Sequence, residues 1–528
     1  MLLRVTNIHK DYGTEQVLQK ISFVVEKGFK VALVGFNGTG KTTLLKIITG
    51  EVEADKGKVE FNKDVTVGFL PQDPDAYNKQ NVFEFLQAYT GASGELFERN
   101  VEIMFAGLAL PSDIKDKKIG DLSSGQKTKV FLMGLLLKKV DLMLLDEPTN
   151  NLDLPALIWL EYFLQNTKSA FMVVSHDQTF LDHVANKIYE IDWKKRTLAV
   201  SNGKYSDFLL RKQKERKRQL LDHELQKEDI GRLKVVVRDK QEKAIKGSKY
   251  QGTDNDHMLR GFRRDRAGNS FKDSRIINNR IKRIELIDKP DERKDFVIEI
   301  KPEDNGSASD IFISDLICGY DTGFRLGPVN MEIPFGSRVA VLGLNGSGKS
   351  TFLKTITGTL APISGNINIG SGVKFGNLMQ EHETLGKDDT VLGFLKNKVD
   401  LEPEILANHL IHFGFTEEQF KTKIGHLSPG GRARLLLASF SATNVNTLVL
   451  DEPTNHLDME AQEALEKTLQ KFEGTVILVT HDRFFVEKID SSVLYVLSDG
   501  VFNKISNFTE YVADMEQRSK KLLRLLKF

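Results

Sequence analysis

Three segments of this chain occur twice, in the same order and at nearly the same spacing. GFNGTGKTTLLKIITG at 35–50 returns as GLNGSGKSTFLKTITG at 343–358. LMLLDEPTNNLD at 142–153 returns as LVLDEPTNHLD at 448–458, and VVSHDQTFLDHV at 173–184 returns as LVTHDRFFVEKI at 478–489. Matching positions lie 308, 305 and 305 residues apart. A chain repeated in this way must build one fold twice, because each copy carries the same pattern of apolar and special residues. The first copy is read as 1–204 and the second as 301–528, with 205–300 belonging to neither.

Within each copy, short apolar runs alternate with amphipathic stretches. VALVG at 31–35 leads into a glycine-rich loop and then TTLLKIITG, the order strand, loop, helix. The runs LMLLD and FMVVS in the first copy, and LVLD and VILVT in the second, have the length and β-branched content of central parallel strands. The fold class expected is α/β: two P-loop domains joined by an α-helical hairpin linker. No stretch approaches the roughly 18 apolar residues of a membrane span, and the start MLLRVTNIHKDYG is not a secretion signal. The lone cysteine, Cys318, excludes an internal disulfide, fits a reducing cytoplasm and reads as a packing residue.

Both repeated loops match G-x-x-x-x-G-K-[ST]. One comprises Gly35, Asn37, Gly38, Thr39, Gly40, Lys41, Thr42 and Thr43; the other Gly343, Asn345, Gly346, Ser347, Gly348, Lys349, Ser350 and Thr351. Glycine lets backbone N–H groups converge on phosphate oxygens with no Cβ in the way, and the following helix adds its positive end. Lys41 and Lys349 then reach the β- and γ-phosphates, and Thr42 and Ser350 suit a Mg²⁺ ion. Asp146–Glu147 and Asp451–Glu452 each close an apolar run. The aspartate is placed to hold Mg²⁺ and the glutamate to polarise an attacking water. ATP and Mg²⁺ are therefore the expected ligands.

Leu122-Ser-Ser-Gly-Gln126 and Leu427-Ser-Pro-Gly-Gly431 resemble the signature loop of ATP-binding cassette proteins. In that family two cassettes pack head to tail, and each nucleotide lies between one phosphate loop and the other cassette's signature. The resemblance implies that Ser428 and Gly430 complete the site of Lys41, and Ser123 and Gly125 that of Lys349, within one monomeric chain. It also implies that Gln72 and Gln380 lie near Mg²⁺ and the attacking water, and that His176 and His481 contact the γ-phosphate. Asp153 and Asp458 look like the aspartates that lie between cassettes, and Tyr12 and Tyr320 sit where an aromatic stacks on adenine. Pro429 stands where the signature usually has glycine, and Asn151 stands where the second copy has His456, which leaves open whether the two sites turn over equally.

The segment between the copies differs in kind. Residues 211–290 carry 24 Lys+Arg against 13 Asp+Glu, whereas the rest of the chain carries 50 against 60. One basic segment thus sits in an otherwise acidic protein, a segregation that suits a polyanion partner. From Ser206 to Lys246 no proline intervenes, and Leu221, Leu225, Leu233 and Val237 recur at helical spacing. A turn is read at 247–256, then a second helix marked by Ile277, Ile281 and Ile284 and ending before Pro290.

Two cassettes joined by such a linker, with no membrane span, resemble the F subfamily of ATP-binding cassette proteins. Its members are soluble cytoplasmic translation factors that bind the ribosome beside the tRNA exit site, and some protect against ribosome-targeting antibiotics. The resemblance implies contacts with rRNA and tRNA through Lys246, Lys249, Tyr250, Arg263, Arg264, Arg266, Lys272 and Arg275. Two other readings are a tandem nucleotide-binding subunit of a membrane importer and a DNA-repair cassette ATPase. The first has no use for a basic hairpin, and the second usually carries zinc-binding cysteines or far longer coiled coils.

Overall fold

The computed structural model describes residues 1–36, 38–70, 79–150, 152–248, 257–283, 300, 309–321, 323–378, 385–454, 459–489, 491, 493–498 and 500–526. By contact the chain forms two compact units: Met1–Ser206 together with Phe296–Phe528, and Asp207–Asp295.

The first copy runs β1 (Leu3–Tyr12), β2 (Glu15–Val25), β3 (Lys30–Val34), α1 (Lys41–Thr49), β4 (Lys56–Phe61), β5 (Val67–Leu70), α2 (Val82–Thr90), α3 (Glu95–Gly107), α4 (Ser124–Leu137), β6 (Leu142–Asp146), α5 (Leu154–Asn166), β7 (Ala170–Val174), α6 (Gln178–Val184), β8 (Lys187–Ile191) and β9 (Leu198–Asn202). Helices α7 (Tyr205–Ser248) and α8 (His257–Arg283) follow. The second copy runs β10 (Ile311–Gly319), β11 (Arg325–Ile333), β12 (Arg338–Gly343), α9 (Lys349–Ile356), β13 (Ser364–Ile369), β14 (Phe375–Leu378), α10 (Val391–Lys398), α11 (Pro403–His412), α12 (Pro429–Ala442), β15 (Thr447–Asp451), α13 (Met459–Lys471), β16 (Thr475–Val479), α14 (Arg483–Lys488), β17 (Val493–Ser498), β18 (Val501–Ile505) and α15 (Phe508–Leu525).

Each copy holds a six-stranded sheet, ordered β5-β6-β7-β3-β8-β9 or β14-β15-β16-β12-β17-β18. All neighbours in it are parallel except the last pair, β8 with β9 and β17 with β18. A three-stranded antiparallel sheet, β2-β1-β4 or β11-β10-β13, accompanies it. The apolar runs explain the parallel strands. β6, β7, β15 and β16 are buried at every position, as a sheet covered on both faces requires. The strand that feeds each phosphate loop, β3 or β12, lies inside its sheet, so the loop opens into the crevice beyond the strands' C-terminal ends. This is the α/β architecture expected from the repeat. Cys318 is buried in the apolar core under β10, and burial raises its thiol pKa.

The two copies share apolar packing. Leu154 and Ile158 of α5 join Ala340, Leu342, Val486, Leu494 and Phe508 of the second copy in one buried cluster. Helix α15 lies against α5 and α3, and the Tyr162 hydroxyl donates to Glu516 at 2.9 Å. Each fully buried Leu, Ile or Phe contributes about 1.5–3 kcal/mol, so this cluster is a large part of what holds the copies together. Among the described residues, no helix is long and apolar enough to cross a membrane.

In the second unit, α7 spans 44 residues, roughly 66 Å at 1.5 Å per residue. Ion pairs one turn apart, such as Arg218–Asp222, Arg232–Glu228 and Arg238–Glu242, support it by a few tenths of a kcal/mol each. The helix read from Leu221, Leu225, Leu233 and Val237 is present. One expectation is corrected: the helix continues through Gly247 and Ser248, the first two residues of the segment read as a turn, and 249–256 lie outside the described residues. Leu221 and Leu225 are 56% and 53% exposed, whereas Val237 and Ala244 are buried. Lys240 of α7 meets Asp273 of α8 at 2.5 Å, and Ser274 is buried. Ile284 and the rest of 284–299 lie outside the described residues, as do Lys249 and Tyr250.

Gly107, the last residue of α3, abuts Trp159, which is fully buried in α5. A Cβ at Gly107 would stand 2.3 Å from the indole. Alanine normally favours a helix over glycine, yet Gly107→Ala should destabilise the protein by about 1–3 kcal/mol through overpacking. Thermal unfolding checks this. A melting temperature at or above the parent's would mean the indole can move aside.

Candidate active site

A cavity of about 950 Å³ opens at the C-terminal ends of the parallel strands. Its wall takes in both phosphate loops, with Gly38, Gly40, Lys41, Thr42 and Thr43 from one and Asn345, Gly346, Gly348, Lys349, Ser350 and Thr351 from the other. Asp146, Glu147, Asp451, Glu452, His176, His481, Tyr12, Tyr320, Ser123 and Gly125 also face it. Gly35, Thr39, Gly343 and Ser347 belong to the loops but not to the wall; Thr39 donates to the Phe36 carbonyl at 2.8 Å. Ser428 and Gly430 are not brought to this cavity. They lie at the start of α12, where the Ser428 hydroxyl accepts from the Gly431 N–H at 3.1 Å. Asn37, Gln72, Gln380 and Asp458 lie outside the described residues.

The loops have the backbone that their glycines allow. Gly40 and Gly348 stand at φ 92° and 103°, directly before α1 and α9. A side chain at Gly40 would also meet Val17 at 2.6 Å. The position therefore excludes other residues by both conformation and space. Each lysine folds over its loop. Lys41 Nζ donates to the Gly35 and Phe36 carbonyls at 2.8 and 3.1 Å, and Lys349 Nζ to those of Gly343 and Leu344 at 2.9 Å each. The ammonium is thereby aimed over the concave face of the loop, where phosphate oxygens would compete for it.

The acidic pairs sit where β6 and β15 end. Glu147 and Glu452 have positive φ, 50° and 47°, a strained conformation for a non-glycine residue that clusters at functional sites. Their N–H groups donate to Val174 and Val479 at 2.9 Å, which turns both side chains toward the neighbouring histidines. His176 Nε2 lies 3.2 Å from Glu147 Oε1, and His481 Nε2 lies 3.2 Å from Glu452 Oε1. Burial pushes Glu147 up to about 7, with Lys41 opposing and Asp146 adding to it. Burial likewise pushes Glu452 up to about 8, against Lys349 and with Asp451. His481 is held well below its ordinary value, first by burial and then by Lys349 and Lys129, so its imidazole is neutral.

The donor set suits a hard cation. Both carboxylate oxygens of Asp146 are buried without a hydrogen-bond partner. Burial raises the pKa of Asp146 and of Asp451, while Thr42 and Ser350 respectively pull it down. One carboxylate and one hydroxyl per site, with no cluster of three acidic, His or Cys ligands among the described residues, is the sparse protein share that Mg²⁺ takes when phosphates and waters supply the rest.

One contact crosses the copies inside the site. Asp153 caps α5, and its Oδ2 accepts from Lys129 Nζ and from the Asn345 N–H, both at 3.1 Å. Asn345 Oδ1 in turn lies 3.1 Å from His481 Nε2. Lys129 is 3% exposed and was not legible as a site residue. Its one signal is position: it follows the signature serine by six residues, as Arg434 follows Ser428. Ser123 caps α4 and is fixed by a reciprocal bond with Gln126.

A model of the family described as ABC transporter matches the chain twice, at residues 18–150 and 326–455. The chain is 31% identical to YdiF of Bacillus subtilis (strain 168), across 99% of this chain and 83% of that protein. It is 29% identical to ABC transporter F family member 2 of Arabidopsis thaliana, across 99% and 80% of the two. Its fold resembles that of the archaeal ribosome recycling factor aABCE1, solved with the ribosomal stalk protein aP1, with a TM-score of 0.60 and 19% identity over 93% and 87% of the chains.

The raised carboxylates predict a pH effect. Between the ordinary glutamate value of 4.5 and the folded values of about 7 and 8, the folded protein keeps protons that the unfolded chain has released. Stability should therefore fall as pH rises through that window. Glutamine is neutral throughout, so Glu147→Gln with Glu452→Gln should flatten the profile. In ligand-free protein the double variant should melt several degrees above the parent at pH 8 and close to it at pH 5. Parallel melting curves from pH 5 to pH 8 would contradict the burial argument.

Proposed function

The chain belongs to the F type of the ATP-binding cassette family, and from that premise we propose that it binds ATP with Mg²⁺ at both phosphate loops and couples hydrolysis to work on the ribosome. As a member of that family it is an ATPase. The observation that carries the site reading is the convergence of two lysines, two Asp-Glu pairs and two histidines on one cavity.

The roles follow from chemistry. Lys41 and Lys349 exchange their loop carbonyls for phosphate oxygens, since a charged acceptor binds an ammonium more strongly than a neutral one. Mg²⁺, held by Thr42 and Asp146 or by Ser350 and Asp451, supplies positive charge where the transferring phosphoryl group needs it. Glu147 and Glu452 orient a water toward the γ-phosphate and take its proton, a task matched by pKa values near working pH. His176 and His481 stand beside those carboxylates, with the His481 backbone N–H donating to Glu452 at 3.3 Å, and reach toward the same phosphate. Ser123 and Gly125, at the start of α4, offer a hydroxyl and a helix N-terminus to nucleotide at Lys349. By the repeat, Ser428 and Gly430 are assigned the same part toward Lys41 once nucleotide draws the cassettes together. Tyr12 and Tyr320, 51% and 50% exposed on the cavity rim, are available to stack on adenine.

The ribosomal part of the proposal is supported by charge. The net excess of basic residues lies in 211–290, and Lys246, Arg266, Lys272 and Arg275 are exposed on α7 and α8. Together with Lys249, Tyr250, Arg263 and Arg264, they give rRNA and tRNA a set of phosphate partners and one stacking ring. The ribosome is also the particle named for the archaeal recycling factor whose fold this chain resembles.

Two measurements test the proposal. Glu147→Gln with Glu452→Gln should lower steady-state phosphate release by about 10²-fold or more while nucleotide binding persists; turnover near the parent's would remove the assignment. Ribosome co-sedimentation should weaken steeply with salt. Neutralising Arg266, Lys272 and Arg275 should reduce the salt slope by about one for each phosphate that a removed cation had neutralised. A parent protein that fails to sediment with ribosomes at any salt concentration would overturn the ribosomal reading.

A further inference from the structure

The segment after each histidine differs between the copies in charged residues at two positions, Gln178 against Arg483 and His183 against Lys488. Asp177 and Asp482 are counterparts in the repeat, as are Glu161 and Glu466, but Gln178 stands where the second copy has Arg483. Arg483 is therefore set against Glu161, Asp177 and Asp482.

That arginine crosses the boundary between the copies. Arg483 opens α14 and is 5% exposed; its terminal nitrogen donates to Glu161 Oε1 on α5, which is 2% exposed. The other Glu161 oxygen lies 3.0 Å from His183 Nδ1, and that hydrogen bond raises the His183 pKa. Asp177 caps α6 by accepting from the Phe180 N–H at 2.8 Å, and Asp482 caps α14 by accepting from the Phe485 N–H at 3.1 Å. Helices α6 and α14 pack together, so the two capping carboxylates are brought near one guanidinium. Burial pushes Asp482 up to about 7, Asp177 and Glu466 push the same way, and Arg483 opposes them. Burial raises Asp177 too, with Arg483 the largest opposing charge.

We propose that Arg483 is a positioning residue for both histidine loops: it ties α14 to Glu161 across the cassettes and balances Asp177 and Asp482, each one residue beyond a histidine that lies beside a hydrolytic glutamate. The geometry is short on both sides. His176 precedes Asp177 and lies 3.2 Å from Glu147; His481 precedes Asp482 and lies 3.2 Å from Glu452. Without the cation, the two caps repel at the helix contact, and both loops shift with them. A buried ion pair is a poor source of stability but an effective way to fix register, and here the register is that of the two hydrolytic loops. The Nε–H of Arg483 is buried without an acceptor, so the guanidinium is held by charge and one hydrogen bond rather than by a full set.

This proposal rests on the reading of Glu147 and Glu452 as the hydrolytic groups. The test uses the full chain and compares the parent with R483Q, R483K and E161Q/R483Q. Thermal unfolding gives the folded fraction, and phosphate release across ATP concentrations separates kcat from KM. E161Q/R483Q removes both charges, so no unpaired charge remains at Glu161. It should fold with a melting temperature within a few degrees of the parent, keep KM within about threefold, and lose kcat by about tenfold or more. R483K should recover most of that loss. A folded E161Q/R483Q with the parent's kcat overturns the proposal, and so does a fall in kcat no larger than the fall in folded fraction. If E161Q/R483Q does not fold, E161Q decides. Its amide still accepts from Arg483, whose charge still balances Asp177 and Asp482, so kcat should stay near the parent's, and a folded E161Q that loses kcat by about tenfold or more overturns the proposal. Substantial turnover in E147Q/E452Q would instead remove the underlying site reading, an outcome separate from all of these.

Discussion

Each cassette is arranged around carboxylates that terminate a strand with no exposed position. Asp146 and Asp451 end β6 and β15, which are buried along their whole length, and Glu147 and Glu452 follow at positive φ. Removing such groups from water costs several kcal/mol unless charge or hydrogen bonding compensates. The nearest compensation is the phosphate-loop lysine, which opposes the rise in each glutamate's pKa. The chain thus places a desolvated acid and a desolvated base on one cavity and leaves space between them. The space suits a ligand that brings its own negative charge together with a hard cation.

Although the copies share their sheets, they do not share their partners. Helix α5 of the first copy enters an apolar cluster built largely from the second, and α15 returns from the chain's end to lie against α3 and α5. Asp153 of the first copy reaches the phosphate loop of the second, and Arg483 of the second reaches Glu161 of the first. A duplicated sequence that folds as one chain is free to diverge at the contact between copies, since each side of the contact is encoded separately. Gln178 against Arg483, and Lys129 against Arg434, are such divergences.

The linker follows a different physics. Its helices carry low apolar content; ion pairs run along α7, Lys240 of α7 pairs with Asp273 of α8, and Val237, Ala244 and Ser274 are buried. Exposed ion pairs of this kind are weak individually. A helix stabilised in this way presents charge to solvent on most of its faces.

Much of the fold and of the site was legible in the sequence. Glycine spacing and apolar run length dictate strand, loop and helix, because only glycine adopts the loop's backbone and only a doubly buried strand is apolar throughout. Lys41, Lys349 and the Asp-Glu pairs, read from those loops and runs, and His176 and His481, read from the family resemblance, all line the cavity. The helical spacing of Leu221, Leu225, Leu233 and Val237 did mark a helix, whereas glycine misled at Gly247, which a helix tolerates near its end. Glu161 and Arg483 carried no local signal, and Lys129 carried only its position after the signature serine. Their partners come from segments 22 to 322 residues away; Lys129 and Glu161 find partners within the first cassette, and Arg483 pairs with Glu161 only once the two cassettes pack. Local sequence determined which groups this chain brings to phosphate; tertiary structure decided which charges are desolvated together, because desolvation depends on everything that surrounds a group and not on its neighbours in the chain.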